Sequence, residues 1–227
     1  MAAGVERIVT VGTGRASSER VVALAEAHPE VRCVIGVHPH DADGWTDADP
    51  RWLRSLAAHP AVVAIGETGL DYYRDHSARD AQLRAFVAQI GLARELGLPV
   101  VVHTRDAEED TIATLDREAA EHPVVLHCFS MPARAPEVAE RRWYASLAGQ
   151  LTYPGADALR AAARALPADR VLVETDSPYL APLPRRGRPN RPANVVHTLR
   201  ALAEARGEAP EAIDALTTAN ARAVFGL

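Results

Sequence analysis

Five side chains able to hold a metal ion stand where short apolar runs stop. His38 follows Val37, Glu67 follows Ile65-Gly66, His103 follows Val102, His127 follows Leu126, and Asp176 follows Val173-Glu174-Thr175. Singly, each reads as an ordinary hydrogen-bonded residue. Repeated at five such positions, imidazole and carboxylate form a donor set for zinc, manganese or magnesium-type centres. A carboxylate such as Glu67 is suited to bridge two cations, one polarising an ester oxygen and the other lowering the pKa of water towards about 7. A serine hydrolase is the weaker alternative: no Gly-x-Ser-x-Gly elbow occurs, and Ser130 follows Phe129 without flanking glycines. Cys128 reads as a small buried apolar residue beside its histidine.

The elements that must carry these residues follow from the hydrophobic period. Val62 to Ile65 has the composition of a strand buried on both faces, and Gly66 and Gly69 let the backbone turn and crowd close around Glu67. Similar runs predict strands over Arg7 to Val11, Arg32 to Val37, Pro99 to His103, Val124 to His127, Trp143 to Leu147 and Arg170 to Glu174. Helices are expected over Ser17 to His28, Asp47 to Ala58, Ser77 to Leu96, Asp106 to Glu121, Pro132 to Arg142, Gly155 to Leu166, Ala193 to Arg206 and Ala209 to Phe225. In Ser77 to Leu96 the inward stripe is Leu83, Phe86, Val87, Ile90 and Ala93 or Arg94, with Gly97 and Pro99 as stop signals. Alternating strands and helices imply a parallel sheet, and convergent polar strand ends favour a TIM-barrel-like α/β fold over an open sheet. Seven strands are counted where a closed barrel has eight, which places the gap at the front, before Arg7 to Val11.

At 227 residues and 48% hydrophobic content, one domain over residues 1–227 is expected. The formal charge of −5 excludes a global basic field, so any nucleic-acid contact must be local. Two cysteines point to a reducing compartment rather than a disulfide framework. No run approaches the roughly 20 apolar residues of a membrane span, and the first residues lack the order of a signal peptide. The expected location is therefore cytoplasmic. Nothing in the composition sets an oligomeric state. The one irregular run, Ser177 to Pro192, reads as a long loop.

With these residues in place, the chain resembles the TatD family of metal-dependent deoxyribonucleases, among the amidohydrolase-like barrels. The matching blocks are Gly36-Val37-His38-Pro39-His40, Gly66-Glu67-Thr68-Gly69-Leu70-Asp71-Tyr72-Tyr73, His103-Thr104-Arg105, His127-Cys128-Phe129-Ser130, Gly149-Gln150-Leu151-Thr152, the stretch from Glu174 to Pro182, and the closing stretch from Asn220 to Gly226. The resemblance implies Glu67, His103, His127 and Asp176 as ligands, with Glu67 and Asp176 catalytic and Asp176 also handling the proton of the attacking water. It makes His38 a substrate-side histidine and Arg105 and Asp71 substrate or supporting contacts. It implies divalent cations (Mg, Mn or Zn), two in the family, and a DNA substrate cut at phosphodiester bonds from an end or on single strands.

Three positions depart from the family pattern. No histidine precedes His28, so the family's opening His-x-His pair is absent, and one retained cation is the expectation. Met131 replaces the usual glycine, and Arg191 stands where glutamate is common, joining Arg185, Arg186 and Arg188 in a local basic loop. The alternatives are a hydrolase of the same barrel class acting on a small ester, lactone or phosphotriester, and a scaffold that binds without catalysis.

Overall fold

The computed structural model describes residues 3–227. The Val/Ile-rich runs form β1 (Ile8–Val11), β2 (Val31–Ile35), β3 (Val62–Asp71), β4 (Val100–Arg105), β5 (Val124–Leu126), β6 (Tyr144–Leu147) and β7 (Val171–Val173). Between and after them lie α1 (Arg15–Ala27), α2 (Asp49–Ala57), α3 (Arg79–Leu96), α4 (Glu108–Glu118), α5 (Ala135–Glu140), α6 (Asp157–Ala165), α7 (Val195–Arg206) and α8 (Pro210–Phe225). The strands follow one another in sequence order in one seven-stranded sheet, with β1 and β7 at the ends of the order. β1 with β2, β2 with β3, β3 with β4 and β6 with β7 all pair in parallel. This is a TIM-barrel-like α/β fold, as the alternation predicts.

The described residues form two compact units, Arg7–Val125 and Leu126–Leu227, the second including the described part of Met1–Glu6. The first buries Ile35, Ile65, Phe86, Ile90 and Leu115 completely. The second is built around Leu147, Leu151, Val171, Leu202 and Ile213. β2, β5 and the first half of β3 are mostly buried apolar runs covered on two faces, so no polar alternation is left to mark them.

Two features differ from expectation, and both bear on the site. β3 continues to Asp71, so Glu67 lies within a strand rather than at its end. Pairing with β4 shifts register between Ile65 and Thr68, then resumes from Thr68 with Val102 to Asp71 with Arg105. The glycines permit this. A Cβ on Gly66 would stand 2.4 Å from the Val101 carbonyl oxygen, and one on Gly69 would stand 2.0 Å from that of His103. With φ of +147° and +140° respectively, these backbones are open to glycine alone.

The second difference is the buried face of α3. Leu83, expected inward, is 37% exposed, whereas Gln82 and Gln89 are buried. Each glutamine occupies the core because it closes hydrogen bonds that the strand and loop beside it cannot make within the sheet. α3 ends as predicted, at a left-handed Gly97 whose N–H reaches the carbonyls of Ala93 and Arg94.

Candidate metal centres

In the unit Arg7–Val125, the segment after β2 is pinned by Gln89. Its Oε1 accepts from the Val37 N–H at 2.8 Å, and its Nε2 donates to the Val37 carbonyl at 3.0 Å and to Thr68 Oγ1 at 2.7 Å. The next residue, His38, donates its N–H to the Thr13 carbonyl at 3.0 Å. His38 Nδ1 accepts from the His40 N–H at 3.1 Å. In the neutral ring the proton therefore sits on Nε2, which faces Glu67 Oε1 at 3.5 Å. Glu67 Oε1 is also 2.9 Å from His103 Nδ1. One ligand atom from each of His38, Glu67 and His103 falls within a 4.8 Å cluster.

Behind this cluster lies Asp71, fully buried. Its Oδ2 is 3.2 Å from His103 Nε2 and 2.8 Å from His40 Nε2, and its Oδ1 accepts the Tyr73 and Arg74 N–H groups. Gln82 fixes the Asp71 backbone, accepting its N–H at 2.8 Å and donating to its carbonyl at 3.2 Å. Burial would push the Asp71 carboxyl up. Hydrogen bonds from His103, the Arg74 N–H and His40, with the charge of His103, hold it well below the usual carboxylate range instead. In the neutral tautomer that donates Nε2–H to Asp71, the lone pair of His103 is on Nδ1, on the Glu67 side. A ligating imidazole held from behind by a carboxylate has this arrangement.

The unit Leu126–Leu227 repeats the plan with different residues. His127 Nδ1 lies 3.0 Å from Glu174 Oε1, and Nε2 lies 3.8 Å from Asp176 Oδ1. Glu174 is held in turn by the Cys128 N–H at 3.0 Å and the Ser146 hydroxyl. His127, Cys128 and Asp176 form a second cluster within 4.8 Å. Cys128 (φ +47°) and Asp176 (φ +54°) both adopt the left-handed backbone that non-glycine residues avoid, at a cost of order 1–3 kcal/mol each. Cys128 is not the buried apolar residue expected. It is partly exposed, its Sγ accepts from Gln150 Nε2 at 3.1 Å, and it joins the donor set because the left-handed turn swings it out of the core.

The sequence-selected ligands thus divide between two sets, Glu67 with His103 in one unit and His127 with Asp176 in the other. Imidazole with carboxylate fits zinc, manganese or magnesium, and a thiol beside it favours the softer of these. Arg105 belongs to neither set. It is exposed at the end of β4, with its guanidinium 3.9 Å over the Tyr73 ring. The basic loop is exposed, with Arg186 4.4 Å over the Tyr153 ring. It is tied down by Asn190, 4% exposed, whose amide donates to the Thr175 and Tyr179 carbonyls and accepts from the Arg191 N–H and the Asn194 amide. Nearby, burial followed by the charges of Arg185 and Arg200 lowers the pKa of His197.

Sequence reasoning passed over Glu174, His40 and Gln89, and gave Asp71 only a loose role. One signal was available: Glu67 and Asp71 are four residues apart in β3, an even spacing that puts strand side chains on one face.

The model of the family described as TatD related DNase matches residues 1–226. An uncharacterized metal-dependent hydrolase of Bacillus subtilis, YabD, is 40% identical over 223 residues, covering 97% of this chain and 88% of the relative. The 3'-5' ssDNA/RNA exonuclease TatD of Cronobacter sakazakii is 42% identical over 232 residues, covering 99% and 88%. Among solved structures, the TatD homolog YJJV of Escherichia coli K12 superposes with a TM-score of 0.92 at 29% identity, covering 99% of this chain and 88% of that one. A TatD family hydrolase of Entamoeba histolytica, 18% identical, shares the fold with a TM-score of 0.87, covering 99% of this chain and 86% of its own.

Proposed function

The chain belongs to the TatD-related DNase family of metal-dependent hydrolases, and we propose that the bond it cleaves is a phosphodiester of single-stranded nucleic acid, DNA above all, taken from an end. One observation carries the reading: both clusters present a histidine to a carboxylate on one side while a second carboxylate holds the opposite ring nitrogen. That is a metal-ligand arrangement rather than a general-base dyad. A relative 42% identical carries the name of a 3'-5' ssDNA/RNA exonuclease, which supports the choice of substrate.

In this reading Glu67 and His103 are ligands in one cluster, and His127 and Asp176 are ligands in the other. A bound divalent cation supplies a Lewis acid for the ester oxygens and lowers the pKa of water. Asp176 accepts a proton from the attacking water. Water adds to phosphorus, the bond to the leaving oxygen breaks, and that oxygen takes up the proton Asp176 accepted, giving a phosphate monoester and a hydroxyl. His38, with its Nδ1 engaged by the His40 N–H, offers Nε2–H to a non-bridging phosphate oxygen. Arg105 and the four loop arginines contact phosphates along the strand. Every one of the 25 basic side chains is an arginine, so each such contact has the planar, two-pronged geometry that suits phosphate.

The test is hydrolysis of end-labelled single-stranded DNA and RNA by the metal-loaded protein, with chelator and with His103→Ala and His127→Ala as controls. Stepwise shortening lost in all three controls is the expected result. Intact strands, with small esters or lactones turned over instead, would overturn it.

A further inference from the structure

The unit Arg7–Val125 contains a cavity of about 440 Å³ that the reaction above does not use. Its size lies within the roughly 300–1,000 Å³ of small-molecule sites. It lies between the start of α1 and the segment running from the 3-10 turn Pro39–Gly44 into α2, and the residues that matter are Arg20, Val37, Asp41, Trp45 and Trp52. Val37 is the residue before His38, so the cavity adjoins the first cluster along the chain.

Its aromatic lining is what sets it apart. The chain has three tryptophans; Trp143 is core, 3% exposed, and the other two are partly exposed and both line this cavity. Trp52 donates its indole N–H to Asp49 Oδ1 at 2.5 Å, which fixes the ring and occupies its one polar atom, leaving its apolar surface for a ligand. The Asp49 carboxylate is fully engaged, since its other oxygen accepts from the Thr46 N–H and hydroxyl. Arg20 has no ion-pair partner among the described residues, whereas Asp41 is an exposed acceptor standing 3.8 Å from where a Cβ on Gly14 would lie. The lining therefore sets two tryptophans beside two arginines, Arg15 paired with Glu19 at 3.2 Å and Arg20 without such a pair among the described residues, with Asp41 as the exposed carboxylate acceptor. A bare polyanion is matched poorly by it. A unit with a flat ring, a hydrogen-bonding edge and a single negative charge is matched well.

We infer that this cavity is a subsite for one nucleotide of the strand, next to the nucleotide whose phosphate lies at His38. The inference rests on the reading under Proposed function. The base stacks on Trp45 and Trp52, Arg20 pairs with the phosphate, and Asp41 accepts from an amino group of the base or a hydroxyl of the sugar. Aromatic platforms of this kind bind bases with little preference for sequence, as an enzyme that shortens a strand stepwise requires.

The experiment is titration of the metal-loaded protein with phosphorothioate-linked oligothymidylate, which resists cleavage, alongside hydrolysis of bis(p-nitrophenyl) phosphate, a diester too small to reach both places. The strand should quench the tryptophan emission of the unaltered protein. Trp45→Ala and Trp52→Ala should each raise the Kd about 5- to 100-fold. They should also lower the ratio of oligonucleotide to small-diester hydrolysis. Arg20→Ala, on an exposed face where folding is not at stake, should reduce the slope of log K against log salt by about 1. Unquenched emission in the unaltered protein, or Kd values within about twofold of it in both folded tryptophan variants, would overturn the subsite. A protein that hydrolyses the small diester but binds no oligonucleotide would overturn the reading of a nucleic-acid strand as substrate, a separate result.

Discussion

Gln89→Met and Leu83→Ala, two changes on the same helix, should rank opposite to the order that hydrophobicity suggests. Gln89 is wholly buried and makes the hydrogen bonds that hold Val37, the residue before His38. Methionine fills nearly the same volume without donor or acceptor, so the Val37 N–H at 2.8 Å and carbonyl at 3.0 Å lose these partners in a region closed to water. Each buried group left unpaired costs about 1–3 kcal/mol, giving a total of about 2–6 kcal/mol, a large part of the roughly 5–15 kcal/mol that holds a typical domain together. Leu83 is 37% exposed. Its truncation should cost less than about 1 kcal/mol. Urea unfolding of the metal-free proteins measures both. With a slope near 3 kcal/mol/M, the Gln89→Met midpoint should fall by about 0.7–2 M while the slope holds. Weakened strand hydrolysis by the metal-loaded protein should accompany it, because the Val37 anchor sets where His38, the phosphate contact, stands. A smaller loss for Gln89→Met than for Leu83→Ala would refute the claim that the hydrogen bonds of Gln89, more than the exposed Leu83, join buried Phe86 and Ile90 in seating α3 beside the cluster.

Metal analysis should show less than full cation content in both His103→Ala and His127→Ala; full stoichiometric metal in either would remove that histidine from the ligand set. Chelation should lower the thermal midpoint, since a cation at 100 times its Kd contributes about 2.7 kcal/mol, and an unchanged midpoint would mean the clusters hold no structural share of the metal. Changing Arg185, Arg186, Arg188 and Arg191 together to alanine should weaken strand binding and flatten its salt dependence, whereas an unaltered slope would return these arginines to the role of a solvated face. Asp71 is held below the usual carboxylate range, so its stabilisation is complete above the unfolded value near about 3.9 and drains away as pH falls below it. In the metal-free protein Asp71→Asn should start from a lower midpoint and lose less of it between pH 5 and pH 2; equal losses would place the acid sensitivity elsewhere.

The metal-competent residues were legible because chemistry had to stand at the ends of runs that were otherwise apolar. Glu67, His103, His127 and Asp176 stand out against Val and Ile neighbours with no knowledge of the fold. Less legible were residues whose work is done on backbone or on other side chains. Gln82 and Gln89 look like solvent-facing positions of an amphipathic helix, and only the register shift in β3 and the bend after β2 create the carbonyls and N–H groups that draw them inward. Glu174 was hidden for a related reason. It reads as one more strand-end acid until the left-handed turn at Cys128 brings its carboxylate under His127. The far end of β3 was misplaced because Gly66 and Gly69 look like turn residues, whereas their use here is to let two backbones pass close together.

The single amide of Asn190 has a kinetic consequence for the loop from Ser177 to Pro192. All of its hydrogen-bonding capacity is committed, and it lies at the root of a segment that carries four exposed guanidinium groups. A loop of this length left unpegged would have to surrender its freedom each time it met a strand, slowing productive encounters. Pegged, it has given up that freedom at folding, and the positive charges wait in a formed array. Ionic strength should then act chiefly on the rate at which strands arrive, leaving the lifetime of the complex to contacts that salt screens less.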